Sequence, residues 1–309
     1  MQLNWKSKKK TLIQSLLVDM RQYIASTMPD KGGFLTISGK DFKYLSQVLR
    51  LEIGDVVWVR LPDQSLVKMA VTKIQSKQLI FKLCDEILSN YEIETASRGV
   101  EPSSIKSNGI EFWVFQFLPK KTKMDLIIRQ CVECGISRIV PVIGDFSPAV
   151  PESRNERFER LVKEARQQSG TPIDTKIENP MKLKDAISLW ENSSQNSLEK
   201  TEKDEIILKN SNFSAEKNNR IAFVLHEADI AQKSLFDHLN GKCSQIKKVA
   251  LAIGPEGGMS DSELQFLKDH DFNLIHFATN VLRCETACLY GIAAIQSALT
   301  EYKSWQKSE

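Results

Sequence analysis

Cysteine is scarce in this 309-residue chain, neither sign of charge dominates, and no long apolar run occurs. Each shortage excludes a class of protein. Six cysteines, Cys84, Cys131, Cys134, Cys243, Cys284 and Cys288, are too few for a disulfide scaffold at this length, so reduced thiols are expected. The pairs Cys131/Cys134 and Cys284/Cys288 have zinc-like spacing. Both fall within helical patterns, where buried cysteine behaves as a small hydrophobe, and no metal is expected. No stretch reaches the roughly 18–20 apolar residues that span a bilayer, so no membrane partner is expected. Forty-two Lys plus Arg against 39 Asp plus Glu leave a net +3, so any nucleic-acid footprint must come from charges gathered on one face.

The amino terminus imitates a signal peptide, with Lys8, Lys9 and Lys10 ahead of an apolar stretch over 12–18. That stretch is short, Gln14 and Ser15 interrupt it, and no small-residue cleavage site follows. Residues 1–19 therefore read as an extension, or as sequence upstream of a start at Met20, and a cytoplasmic protein is expected.

What is present suggests two domains, at about 150 residues each. Within 20–92, strand-like segments at 34–37, 55–61, 66–74 and 79–83 surround one helical pattern at 41–49, which predicts a small half-open β-barrel. Residues 92–108, with Gly99, Pro102, Ser103 and Ser104, lack apolar periodicity and read as a linker. From 109 to 305 the pattern alternates. Strands are expected at 110–117, 138–143, 173–177, 220–225, 249–253 and 274–277, and helices at 122–134, 156–168, 182–190, 230–239, 263–270 and 286–302. Such repetition predicts a mostly parallel sheet covered on both faces. Residues 191–219 interrupt it with Asn, Ser, Lys and Glu, and read as a surface insertion.

Two stretches carry the chemistry. An apolar strand runs into Gly254-Pro255-Glu256-Gly257-Gly258, and Ser260 with Glu263 forms a capping box for the next helix. Glycines at the carboxyl end of a parallel strand let a ligand approach the backbone closely. The pattern is neither G-x-G-x-x-G nor a P-loop, which disfavours dinucleotide and phosphate-cradling enzymes. The second stretch, Phe277-Ala278-Thr279-Asn280-Val281-Leu282-Arg283-Cys284-Glu285, is again strand, irregular loop and helix start. Its Arg283 and Glu285 are either site residues or an exposed ion pair of little worth.

These motifs, together with Leu118-Pro119-Lys120, Lys123-Met124-Asp125, Glu133-x-Gly135 and Val48-Leu49-Arg50 before Gly54-Asp55, resemble the RsmE family of ribosomal RNA uridine-N3 methyltransferases, in the SPOUT superfamily. The resemblance runs from about Met20 to Tyr302 in the same order. It implies an α/β protein: an amino-terminal PUA-like β-barrel over 20–92 that helps hold RNA, and a carboxy-terminal parallel-sheet SPOUT domain over 109–305 whose chain end forms a trefoil knot. It also implies a homodimer, S-adenosylmethionine as cofactor, and ribosomal RNA or the small subunit as partner.

By position, Leu225, His226, Gly254, Pro255, Glu256, Gly257, Gly258, Phe277, Ala278, Val281, Leu282 and Arg283 would form the cofactor loops. Arg283 and Glu285 would be catalytic: Arg283 stabilises charge on the uridine carbonyls, and Glu285 accepts or relays the N3 proton. Arg50, Lys120, Lys123 and Arg166 are the candidates for RNA contact. The chain departs from the family pattern in one direction: Phe146, Thr171 and Asn280 stand where arginines are expected, and Ala278 where glycine is usual. Three lost guanidinium groups keep open an alternative, an RNA-binding protein of this fold with an altered target or without catalysis.

Overall fold

A computed structural model describes residues 22–84, 109–148, 155–193, 219–227, 230–231 and 233–301. The expected extension and linker, and most of the expected insertion, lie outside the described residues. Two compact units are present.

The first unit comprises Met1–Ile105 together with Lys163–Pro172. Strands β1 (Tyr23–Ile24), β2 (Phe34–Ser38), β3 (Val56–Arg60), β4 (Leu66–Ile74) and β5 (Gln78–Leu83) form one sheet in the order β1-β3-β4-β5-β2. All neighbours are antiparallel except the β1/β3 pair. Alternation places Leu35 and Ile37 of β2 inside with Val59, Met69, Leu79 and Phe81. The helical pattern expected at 41–49 divides into α1 (Gly39–Lys43) and a π-helical turn at Tyr44–Val48. The Leu49 amide bonds the Tyr44 carbonyl, and this wider turn brings Leu45, Leu49 and Leu51 all into the core. Strand β1 is too short to show any alternation, and sequence reasoning missed it. Beside it the buried Gln22 amide donates to the carbonyls of Arg166 and Thr171, both at 3.0 Å, and accepts from Arg60 Nε at 2.8 Å.

The second unit alternates as the sequence leads one to expect, apart from the added strand β9: β6 (Glu111–Phe117), α2 (Lys121–Glu133), β7 (Arg138–Ile143), α3 (Asn155–Ser169, of which Lys163 onward belongs to the first unit), β8 (Lys176–Ile177), β9 (Met181–Lys182), α4 (Leu183–Asn192), β10 (Arg220–Leu225), α5 (Leu235–Leu239), β11 (Lys248–Ile253), α6 (Asp261–Asp269), β12 (Phe272–Ile275) and α7 (Cys284–Thr300). The sheet is parallel throughout, in the order β12-β10-β11-β6-β7-β8, with β9 also pairing β7. On one face Trp113, Phe115 and Phe117 of β6 meet Ala186, Ile187 and Trp190 of α4 and Leu264 and Leu267 of α6. On the opposite face α2 and α7 lie together, with the Cys131 and Cys288 thiols 3.9 Å apart and Gly291 against Leu251. Gly135, at φ +71, stops α2 where a side chain would be strained.

Several boundaries differ from expectation by a residue or two, the short strand β9 is unexpected, and three differences change an element or the site. The strand expected at 173–177 is only β8, the helix expected at 230–239 is only α5 behind a Ser234/Asp237 capping box, and the strand expected at 274–277 is β12, two residues earlier. Pairing explains the last shift. β12 ends where Ile275 meets Leu225, the last residue of β10, which leaves 276–283 as loop.

Candidate active site

Strands β12, β10 and β11 are neighbours, and the loops leaving their carboxyl ends enclose a cavity of about 380 Å³. Of the expected cofactor residues, Leu225, His226, Gly254 to Gly258, Phe277, Val281, Leu282 and Arg283 line it; Ala278 does not. Met259, His276, Thr279 and Asn280 line it as well. His276 was hidden by the misplaced strand boundary.

The glycine-rich loop closes on itself. The Gly258 amide bonds the Pro255 carbonyl at 3.0 Å, and a Cβ on Gly254 would stand 3.1 Å from the Gly258 carbonyl carbon. Gly258 has φ +76, and the Ser260/Glu263 capping box then starts α6, as its spacing predicts. Buried Glu263 also accepts the Asp145 amide at 2.8 Å, and Ser260 Oγ donates to Asp145 at 2.6 Å. These bonds hold the 144–147 loop against the glycine-rich loop, with Phe146 over Gly257. From below, fully buried Gln116 donates to the Ile253 and Gly254 carbonyls, both at 3.3 Å. Across the cavity the His276 ring contacts the His226 carbonyl at 3.2 Å.

Charge is concentrated at one rim. Lys123 Nζ lies 3.2 Å from Glu256 and 3.4 Å from Glu285. Glu285 therefore pairs with Lys123, and the ion pair contemplated with Arg283 is not formed. Glu285 does not line the cavity itself but stands beside it through Lys123, while Arg283 is exposed at the position preceding α7. Partial burial opposes the charge on Glu285, yet its own amide, the Cys284 thiol and Lys123 outweigh burial and hold the carboxyl below the usual range. Glu256 is held low similarly: burial opposes, and its own amide, Lys123 and the Lys120 amide prevail. Burial, followed by the hydrogen bond to Glu285, pushes the Cys284 thiol up to about 12, so it acts as a donor and not as a nucleophile.

The basic candidates separate. Arg50 is exposed on the first unit at φ +53, and Lys120 is exposed ahead of α2. Arg166 is buried in the first unit, with its guanidinium bonded to Gln64 at 2.6 Å and to the Pro172 carbonyl at 3.1 Å. A phosphate-facing role does not fit that environment. Among the described residues no group of three or more His, Cys, Asp or Glu side chains is arranged to hold a metal ion, and no helix is long and apolar enough to cross a membrane. Backbone edges and apolar walls suit a flat heterocycle, and the paired Glu256 and Lys123 at one rim suit a zwitterion.

A family model described as an RNA methyltransferase domain matches residues 106–296, and one described as an RNA methyltransferase PUA domain matches 37–84. A relative from Borreliella burgdorferi, named ribosomal RNA small subunit methyltransferase E 2, is 26% identical over 291 residues, which is 92% of this chain and 99% of that protein. A ribosomal RNA small subunit methyltransferase E from Aquifex aeolicus is 28% identical over 167 residues, 53% of this chain and 58% of that one. In structure the chain is similar to a ribosomal RNA small subunit methyltransferase E from Neisseria gonorrhoeae bound to S-adenosyl methionine, with a TM-score of 0.66, 17% identity, and coverage of 90% of this chain and 97% of that one. At these identities the structural likeness shows the fold.

Proposed function

This chain belongs to the RNA methyltransferase domain family, and on that premise we propose that it methylates N3 of a uridine in small-subunit ribosomal RNA, with S-adenosylmethionine as methyl donor. The observation that carries this is the cavity walled by three loops at the strand ends, with Glu256, Lys123 and Arg283 in its lining and Glu285 beside it. Its lining suits the cofactor: loop backbone and Leu282 for the adenine, and Glu256 beside Lys123 for the zwitterionic methionyl end. When bound, S-adenosylmethionine supplies an electrophilic methyl group on a sulfonium.

The chain's own residues do the rest. The loops at 254–258 and 276–282 orient donor and acceptor, and alignment supplies much of the acceleration. Arg283 stays protonated, so it cannot take the N3 proton. It donates to the uridine carbonyl oxygens as charge develops there. Glu285, held ionised beside Lys123, accepts or relays that proton.

Arg50 and Lys120 remain as RNA contacts on their respective units. A homodimer, the trefoil knot of the fold, the domain limits at 20–92 and 109–305, and action in the cytoplasm belong to the same proposal.

Calorimetry with S-adenosylmethionine tests the cofactor: saturable binding is expected, and none at millimolar concentration overturns the enzyme. Mapping modified nucleotides in ribosomal RNA from cells lacking the protein tests the target. One N3-methyluridine should disappear; its unchanged persistence shows the substrate to be wrong. The uncharged Phe146, Thr171 and Asn280 favour a second function, RNA binding without catalysis, which predicts cofactor-independent binding and no methyl transfer.

A further inference from the structure

Three parts of the second unit converge on Lys123. It stands in the first turn of α2; its ammonium lies 3.2 Å from Glu256, in the glycine-rich loop, and 3.4 Å from Glu285, in the first turn of α7. The Lys120 amide donates to both carboxylate oxygens of Glu256 at 3.3 Å. α2 has no side-chain cap from its own sequence and no acidic residue in its first turn. Glu256 therefore supplies from another element the acceptor and the negative charge that this helix start lacks. With Lys123 in place, two carboxylates from different elements share one cation; without it they would repel each other.

An RNA-facing lysine keeps its ammonium in water for a phosphate. The Lys123 side chain is only 26% exposed, and its ammonium faces two acceptors. We propose that Lys123 is a positioning residue rather than an RNA contact: it ties the glycine-rich loop to the start of α7, setting the cofactor cavity and the Glu285 carboxylate together. The inference rests on the cofactor assignment above. Partial burial opposes its charge, but the hydrogen bond to Glu256 and the surrounding anionic groups prevail and hold the ammonium above its usual range. The groups facing Glu285 are Lys123 from α2 and the Cys284 thiol beside it, with Glu256 held to the same ammonium. Removing the cation leaves an anion and a neutral thiol, so Glu285 gains proton affinity.

The test is cofactor calorimetry on the full chain without RNA, for the wild type, Lys123→Gln and Lys123→Arg, beside RNA binding across a salt series. Lys123→Gln should weaken S-adenosylmethionine binding about tenfold, and Lys123→Arg should restore most of it. RNA affinity and its salt slope should not change, and the acid limb of the methylation pH profile should move to higher pH. Adding Glu285→Gln to Lys123→Gln removes one of the two like charges and should recover part of the cofactor affinity; no recovery overturns the coupling. Wild-type cofactor affinity in Lys123→Gln, with weaker RNA binding and a salt slope lower by about one, makes Lys123 a phosphate contact and overturns the proposal. If the wild type itself binds no cofactor, the cavity assignment fails and this inference fails with it.

Discussion

Arg283 precedes α7 with its side chain exposed, so truncating it opens no core. Arg283→Ala is therefore expected to lower methylation by about two to three orders of magnitude, as the loss of a charge-stabilising donor does. Its stability, read from urea unfolding, should change by less than about 0.5 kcal/mol. Near-normal turnover would remove Arg283 from catalysis. Glu256 and Glu285 behave differently because both carboxyls are held below their ordinary value of 4.5. The folded chain then binds fewer protons than the unfolded chain as acid is added. The stability these groups contribute is fully present above the ordinary value and is lost as pH falls through their folded-state values. Lys123→Gln weakens that contribution, so its thermal midpoint should fall less steeply than the wild type's across the range below 4.5; parallel curves would show that Lys123 does not hold the two carboxyls.

At the scale of elements, the cavity depends on how the 144–147 loop is held to the start of α6. A Cβ on Gly144 would lie 2.5 Å from the Phe117 ring and 2.6 Å from the Glu263 carboxylate. Both neighbours are fixed, one in the core and one in the capping box. Gly144→Ala should cost about 1–3 kcal/mol, read by denaturant unfolding, and should weaken cofactor binding as the cap shifts. A neutral result would show that the loop is free to move.

The strands of the second unit and the glycine-rich turn were legible because apolar runs punctuated by glycine have few other solutions. What remained hidden arises from pairing between segments distant in sequence. Gln116 looks like a stray polar residue in an apolar strand until the Ile253 and Gly254 carbonyls arrive above it. His276 belongs to the loop only because β12 stops in register with β10. Arg166 looks like one of several basic residues on an Arg-rich helix, and only folding shows it bonded to Gln64. Lys123 resembles its neighbour Lys120 in sequence, and the difference between them is made by two carboxylates more than 130 residues away.

For the whole molecule, a net +3 means that RNA attraction must be local, and the exposed Arg50 and Lys120 are candidates on separate units. The division into units also has a consequence for stability. Strands β1 to β5 are encoded before residue 84, yet Gln22 finds its acceptors on Arg166 and Thr171. A fragment over residues 20–105 should thus be less stable by at least about 2 kcal/mol than the same fragment with a peptide of residues 163–172 bound, given about 1 kcal/mol for each of the two Gln22 side-chain bonds, with the bonds of Gln167, Arg166 and Lys163 to Gln22, Gln64 and Asp41 in addition. Thermal unfolding with and without the peptide measures this; no change on addition would show that the barrel is complete without it.

The same discontinuity sets a timetable on the ribosome. At about 5–20 residues per second, the chain that completes the first unit emerges several seconds after its last strand. During that interval the barrel has its sheet and the Arg60 bond to Gln22 but lacks the Arg166 and Thr171 acceptors, so the unit encoded first cannot finish folding until part of the second has been made.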